Sequence, residues 1–238
     1  MTASQVAGTE LRRLPRMIGS AAGILLYLLV LGAFGLMVPA RWGFEFLNPM
    51  VLAAYGAMAG LFASPVSVEA CFGVRDFPHP ARTALIGKIA FVAAYGWVSA
   101  TLILIVGLIT VNIRNWHGQP LLPPAIFLAS LFAFSLSIAV FVTSMGAALA
   151  VRAPSTRSAK RIMRTAFLVF LLFLVMFVRY APDEWRFRMT MQLSQERFPL
   201  FVLLTGLHLW FFAIMLTRAA LGRVDEVLAR TERPLGLE

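Results

Sequence analysis

The sequence is poor in charge, and poorest in acid. Only 13% of its 238 residues are charged, about half of what a soluble domain of this length carries. Aspartate and glutamate together number 11, against 21 lysines and arginines. Cysteine is nearly absent: Cys71 stands alone, which excludes an internal disulfide framework and a cysteine metal cluster. Several chemical signatures are missing as well. There is no G-x-x-x-x-G-K-[ST], so the chain has no phosphate-cradling loop of its own. There is no H-E-x-x-H, no G-x-S-x-G, and no carboxylate pair inside an apolar run. Gly87-Lys88 looks like a fragment of the phosphate loop. Arg82 stands where its upstream glycine would be, and Ile89 where its hydroxyl residue would be.

What is present is hydrocarbon. The chain is 60% hydrophobic and its mean hydropathy is +0.81. Six runs are long and apolar enough for membrane helices, at about 20–38, 49–66, 87–111, 124–150, 163–179 and 199–217. The expected fold is therefore all-α: one polytopic membrane domain over 1–238 with six transmembrane helices. Pro65 is expected to kink the inner end of the second run. The first run follows a basic segment, and Val38-Pro39-Ala40 resembles a cleavage site. A signal core is only about 7–15 residues, so the longer run is read as a retained span.

Charge placement sets the expected topology. With the N-terminus inside, the inner segments hold Arg12, Arg13, Arg16, Arg75, Arg82, Lys88, Arg152, Arg157, Lys160, Arg161, Arg164, Arg218, Arg223, Arg230 and Arg233, fifteen in all. The outer segments hold six: Arg41, Arg114, Arg179, Arg186, Arg188 and Arg197. Both termini are assigned to the cytoplasm, with 218–238 as a cytoplasmic tail. The net charge of +10 is then a topology signal, with the anionic headgroups of the lipid bilayer as counter-charge, and no nucleic acid partner is expected. Residues 1–19, with Glu10-Leu-Arg-Arg-Leu-Pro-Arg-Met-Ile18, fit an amphipathic interfacial segment; a basic tail that only fixes orientation fits too. The last outer connection, 180–198, alternates charge with Trp185, Phe187, Met189 and Met191. It suits either short helices dipping into the outer leaflet or a surface loop.

Ionisable residues inside spans are functional candidates by default, and His208 is the clear case here. It fits a substrate contact, a proton relay or a haem ligand, or a neutral histidine bonded within the helices. His79 and His117 lie in connections on opposite sides. Two glycine pairs, Gly19 with Gly23 and Gly56 with Gly60, put small residues on one helix face. Such pairs let helices approach closely, inside a subunit or across a dimer seam.

The most informative stretch is Glu69 to Lys88, EACFGVRDFPHPARTALIGK, between the second and third runs. An acidic residue, Glu69, stands near the inner end of the second span, and Pro78 precedes Gly87-Lys88 at the start of the third. The fourth run leaves the membrane through TSMGAALAVRAPSTRSAKRI, a small-residue exit into a short basic loop. With the amphipathic N-terminal segment and the long last outer loop, this pattern resembles the permease subunit of ABC exporters of the ABC-2 class. The resemblance covers nearly the whole chain through soft motifs. In one place the chain departs from the family: a second acidic residue and a Gly-Thr-Leu-like helix start usually follow, where Ala70-Cys-Phe-Gly-Val-Arg-Asp76 stands here.

The resemblance implies a cytoplasmic coupling helix between spans two and three, with Glu69, Arg75, Asp76, Arg82 and Lys88 meeting a motor. Arg152, Arg157, Lys160 and Arg161 form a secondary cytoplasmic contact, or simply anchor the topology. The implied partners are a separate nucleotide-binding ATPase subunit, which would carry ATP and magnesium, and a second permease subunit, identical or not. The chain itself needs no cofactor and is not expected to be an enzyme. The expected location is a bacterial inner membrane. Two other readings stay open: a non-transporting integral subunit of a larger complex, and a membrane enzyme using His208.

Overall fold

The structure, a computed structural model, describes residues 29, 32–72, 80–116 and 118–232. Every regular element among them is helical. A π-helical turn, Ala33–Met37, leads into the short helix α1 (Val38–Trp42) and a 3₁₀ turn, Gly43–Leu47. Six more helices follow: α2 (Pro49–Cys71), α3 (Ala81–Arg114), α4 (Ala125–Arg152), α5 (Thr156–Tyr180), α6 (Asp183–Gln192) and α7 (Phe198–Glu232). Four helices are long and apolar enough to cross a membrane: α2, α3, α4, and α7 as far as Glu226. They mark a membrane-embedded protein.

Local chemistry explains where the helices start. Asn48 caps α2, its side-chain oxygen accepting from the Met50 amide at 2.9 Å, and Pro49 occupies the first helical position. Ser155 caps α5 through the Ser158 amide at 3.2 Å. Pro80 and Pro124 precede α3 and α4 with ψ of 129° and 143°, outside the helical region. Between α3 and α4 the side chain of Asn112 mimics a backbone strand. Its Nδ2 donates to the Leu121 carbonyl at 2.9 Å, and its Oδ1 accepts from the Leu121 amide at 2.6 Å.

The helices run longer than the apolar runs of the sequence. The run 49–66 continues through Pro65 without a break to Cys71, because Val66, Val68, Ala70 and Cys71 are all buried in the bundle. The run 87–111 begins earlier, at Ala81. Residues 81–88 are thus the first turns of α3 itself and form no separate coupling helix. The remainder of the expected coupling segment, 73–79, lies outside the described residues, as do the amphipathic segment 1–19 and most of the run 20–38. The run 163–179 falls within α5, and 199–217 within α7. Of the two readings of the last outer connection, a short helix and a surface loop, the structure has the helix, α6, with mostly exposed side chains.

Packing centres on α2, which packs on both α3 and α4; these two also meet each other, the Trp97 indole donating to the Phe132 carbonyl at 3.1 Å, and α4 packs on α7 as well. Contacts fix the directions. Gly56, Gly60 and Ser67 of α2 meet Leu131, Ile138 and Gly146 of α4 in rising order, so the two helices run parallel. Trp210 reaches Ser137, and Thr217 reaches Ser144, so α4 and α7 are parallel as well. Gly96 of α3 meets Ala59 and Ala63, and Lys88 meets Ala70, so α3 runs against α2. Arg82, Lys88, Arg152, Arg157, Lys160 and Arg161 therefore gather at one end, the basic end. Arg41, Arg114 and Arg197 mark the other.

The two ends pack differently. The basic end is filled with small and branched side chains such as Ala63, Val68, Ala84, Ala147 and Ala220. The opposite end is aromatic. Phe46 meets Tyr55 edge to face at 4.9 Å, and Phe127 lies 4.7 Å from Phe198. Lipid tails are as apolar as these side chains, so burial against lipid gives little net drive and close fit does the work. Gly56 and Gly60 serve that fit inside the subunit, against α4. Gly19 and Gly23 lie outside the described residues.

Candidate functional site

At the basic end, charged side chains tie the helix ends to one another. Arg82, in the first turn of α3, makes a two-pronged ion pair with Asp225 near the end of α7; its Nε lies 2.8 Å from Oδ1, and its second arm reaches Oδ2. The two residues are 143 positions apart in sequence. Glu69, near the end of α2, pairs with Lys160 in the first turns of α5, and both side chains are half-buried. Lys88 is only 6% exposed and donates from Nζ to the Ala70 carbonyl at 2.6 Å. That carbonyl belongs to the last turn of α2, whose C-terminal carbonyls have no partner in their own helix and carry partial negative charge. A lysine is therefore tolerated inside the bundle because it caps a neighbouring helix.

Together these contacts link α2 to α3, α2 to α5 and α3 to α7. The end of α2 is thereby joined to α5 through Glu69, and the start of α3 to α7 through Arg82. The bidentate guanidinium geometry resists rotation about the contact as well as separation.

The structure places the sequence-derived candidates unevenly. Arg82 is 66% exposed on its side chain and faces outward at the basic end. Glu69 and Lys88 are turned into the bundle, whereas Arg82, though paired with Asp225, keeps most of its side chain at the surface. Burial explains Lys88: Gly87 and Lys88 lie on the inner face of α3, not at the mouth of a loop. Arg75 and Asp76 lie outside the described residues, as do His79 and His117. Arg152, Arg157 and Arg161 are exposed, whereas Lys160 is engaged with Glu69. His208 is exposed on the outer face of α7, and its Nδ1 lies 2.6 Å from the Leu204 carbonyl of its own helix. No group of three or more His, Cys, Asp or Glu side chains that could hold a metal occurs among the described residues.

Sequence reasoning missed Asp225 and the Arg223–Glu226 pair, whose Nη1 and Oε2 are 2.6 Å apart. Their signal was present: Asp225 and Glu226 are adjacent acids, two of only 11 in the chain, placed beside Arg223 at its basic side. It also missed the polar ladder between α4 and α7. There the Trp210 indole donates to Ser137 Oγ at 3.2 Å, and the Thr217 hydroxyl to Ser144 Oγ at 3.2 Å.

Comparison with protein-family models, with curated proteins and with solved structures finds no match for this chain. The functional reading therefore rests on the residues and their geometry.

Proposed function

We propose that this chain is the permease half of an ATP-driven exporter. It would cross the membrane six times, with α5 and the first apolar run as the fifth and first spans. A second permease subunit would supply the other half of the pathway. A separate ATPase subunit would dock at the basic end, which would face the bacterial cytoplasm together with both termini. The observation that supports this most is the set of ties at the basic end. They join the end of α2 and the start of α3 to α5 and α7, so that a force applied at these two helix ends would reach the other helices, as a subunit without its own phosphate loop needs if it is driven from outside. Arg82 and Arg75 are assigned to motor contact; Glu69 and Lys88 are assigned to transmission within the subunit.

Purification in mild detergent is expected to bring down a nucleotide-binding subunit with the chain. Reversing the charges at Arg75 and Arg82 together is expected to abolish ATP-dependent transport while leaving the chain in the membrane. Transport that survives this reversal, or a chain that purifies with no ATPase, overturns the proposal.

A second reading, a non-transporting integral subunit, draws on the tightness of the core. A Cβ added at Gly146 would clash with Ser67, at Gly96 with Ala59 and Ala63, and at Gly60 with Ile138 and Val142, so the helices leave no room there for a side chain. Such an interior leaves the pathway, if there is one, between two halves. Co-purification with membrane proteins but no ATPase favours this second reading. The exposed setting of His208 lends no support to a membrane enzyme; His208→Ala is expected to change transport little.

A further inference from the structure

The basic end holds a cavity that none of these roles uses. Where α4 ends beside α7 there is a cavity of about 410 Å³, lined by Arg152, Ala219, Gly222, Arg223 and Glu226. Two guanidinium groups face one carboxylate. Glu226 is already engaged by Arg223 on its own helix, and Arg152 makes no ion pair among the described residues. The cavity therefore carries an uncompensated positive charge. Its wall is low on the α7 side, since a side chain added at Gly222 would meet nothing within 4 Å. One and two turns before Ala219, the same face of α7 exposes Met215 and Phe211. A cationic cup thus continues into an apolar stripe running toward the membrane centre.

We infer that this cavity binds the phosphate diester of an anionic membrane lipid, with an acyl chain laid along Met215 and Phe211. Basic pockets between membrane helices are suited to anionic headgroups. The planar fork of an arginine matches two phosphate oxygens at once. A soluble phosphate would satisfy the guanidinium groups equally well. The apolar stripe decides for the lipid, because only a lipid fills both parts. The inference does not depend on whether the chain transports.

The test uses the full chain in detergent, with phosphatidylglycerol or phosphatidylcholine of the same acyl chains added and retained lipid counted by native mass spectrometry. The wild type is expected to hold phosphatidylglycerol about tenfold more tightly than phosphatidylcholine. Arg152→Gln is expected to remove that preference. Arg114→Gln, an exposed arginine at the opposite end, is expected to keep it. Gly222→Leu retains every charge but fills the cavity, and is also expected to lose the preference. It decides the matter should Arg152→Gln fail to fold. Equal retention of the two lipids by the wild type overturns the inference, as does an unchanged preference in the cavity variants. Displacement of phosphatidylglycerol by millimolar inorganic phosphate would assign the cavity to a soluble phosphate ligand and overturn the lipid assignment.

Discussion

A methyl group at Gly146 has no room. Its Cβ would lie 1.9 Å from Ser67 Oγ and 2.7 Å from Ser67 Cβ, while that hydroxyl already donates to the Ser64 carbonyl at 2.7 Å. Moving the serine oxygen aside is not enough, because its β-carbon is also too close. Gly146→Ala must therefore push α2 and α4 apart. We expect a loss of about 1–3 kcal/mol, read as a lower thermal midpoint in detergent. Gly222→Ala gives the contrast: it meets open space, and the gain in helix propensity should leave the midpoint unchanged or raised by up to about 1 kcal/mol. Equal effects at the two positions would remove packing as the reason for Gly146. The four-residue spacing of Gly56 and Gly60 made them visible in the sequence. A Cβ at Gly96, Gly107 or Gly146 would meet its neighbours more closely still, yet none of these belongs to such a pair. Gly146 sits in a run of small residues that reads as a membrane exit, so its role depends on which helix faces it, and a single sequence does not carry that.

Among the long helices, α5 is held least. Its first half enters the bundle, through the buried Ala159 and Met163, through Phe167 packed against the same core, and through the Lys160–Glu69 pair. Beyond them Leu168, Val169, Phe170, Leu172, Phe173 and Met176 are all exposed. The pair therefore acts where α5 has few other anchors. A double-mutant cycle with Glu69→Gln and Lys160→Gln should give a coupling of about 1 kcal/mol, at the upper end for partly exposed pairs. Raising the salt concentration should weaken it only partly, because both groups are half-buried. Zero coupling would mean that the apolar contacts alone hold α5. Here the sequence was informative in part. It marked Glu69 and Lys160 as charges of interest but gave them the same outward role. Nothing in their spacing, 91 residues apart, reveals that they neutralise one another.

At the scale of the molecule, one arrangement links charge, helix direction and sidedness. Helices α2, α4 and α7 end where α3 and α5 begin, and the arginines and lysines collect there. The apolar runs made the helical class and the approximate positions of α2, α3, α4 and α7 legible. Their true ends were not, because a helix stops where capping and packing stop it, and Cys71 and Ala81 lie in polar-looking sequence. The alternation makes a prediction about sides. The chain has one cysteine, Cys71, and it is fully buried. In a Cys71→Ser background, Gln119→Cys places a thiol in the exposed connection between α3 and α4. Pro154→Cys places one between α4 and α5. If α4 crosses the bilayer with its basic end inside, a membrane-impermeant maleimide added to intact cells should label Gln119→Cys. Pro154→Cys should react only after permeabilisation, and the wild-type thiol only after denaturation. Labelling of both introduced cysteines from the same side would mean that α4 does not cross. Labelling in the reverse sense would keep the spans but turn the basic end outward, and with it remove the surface at which an internal ATPase could dock.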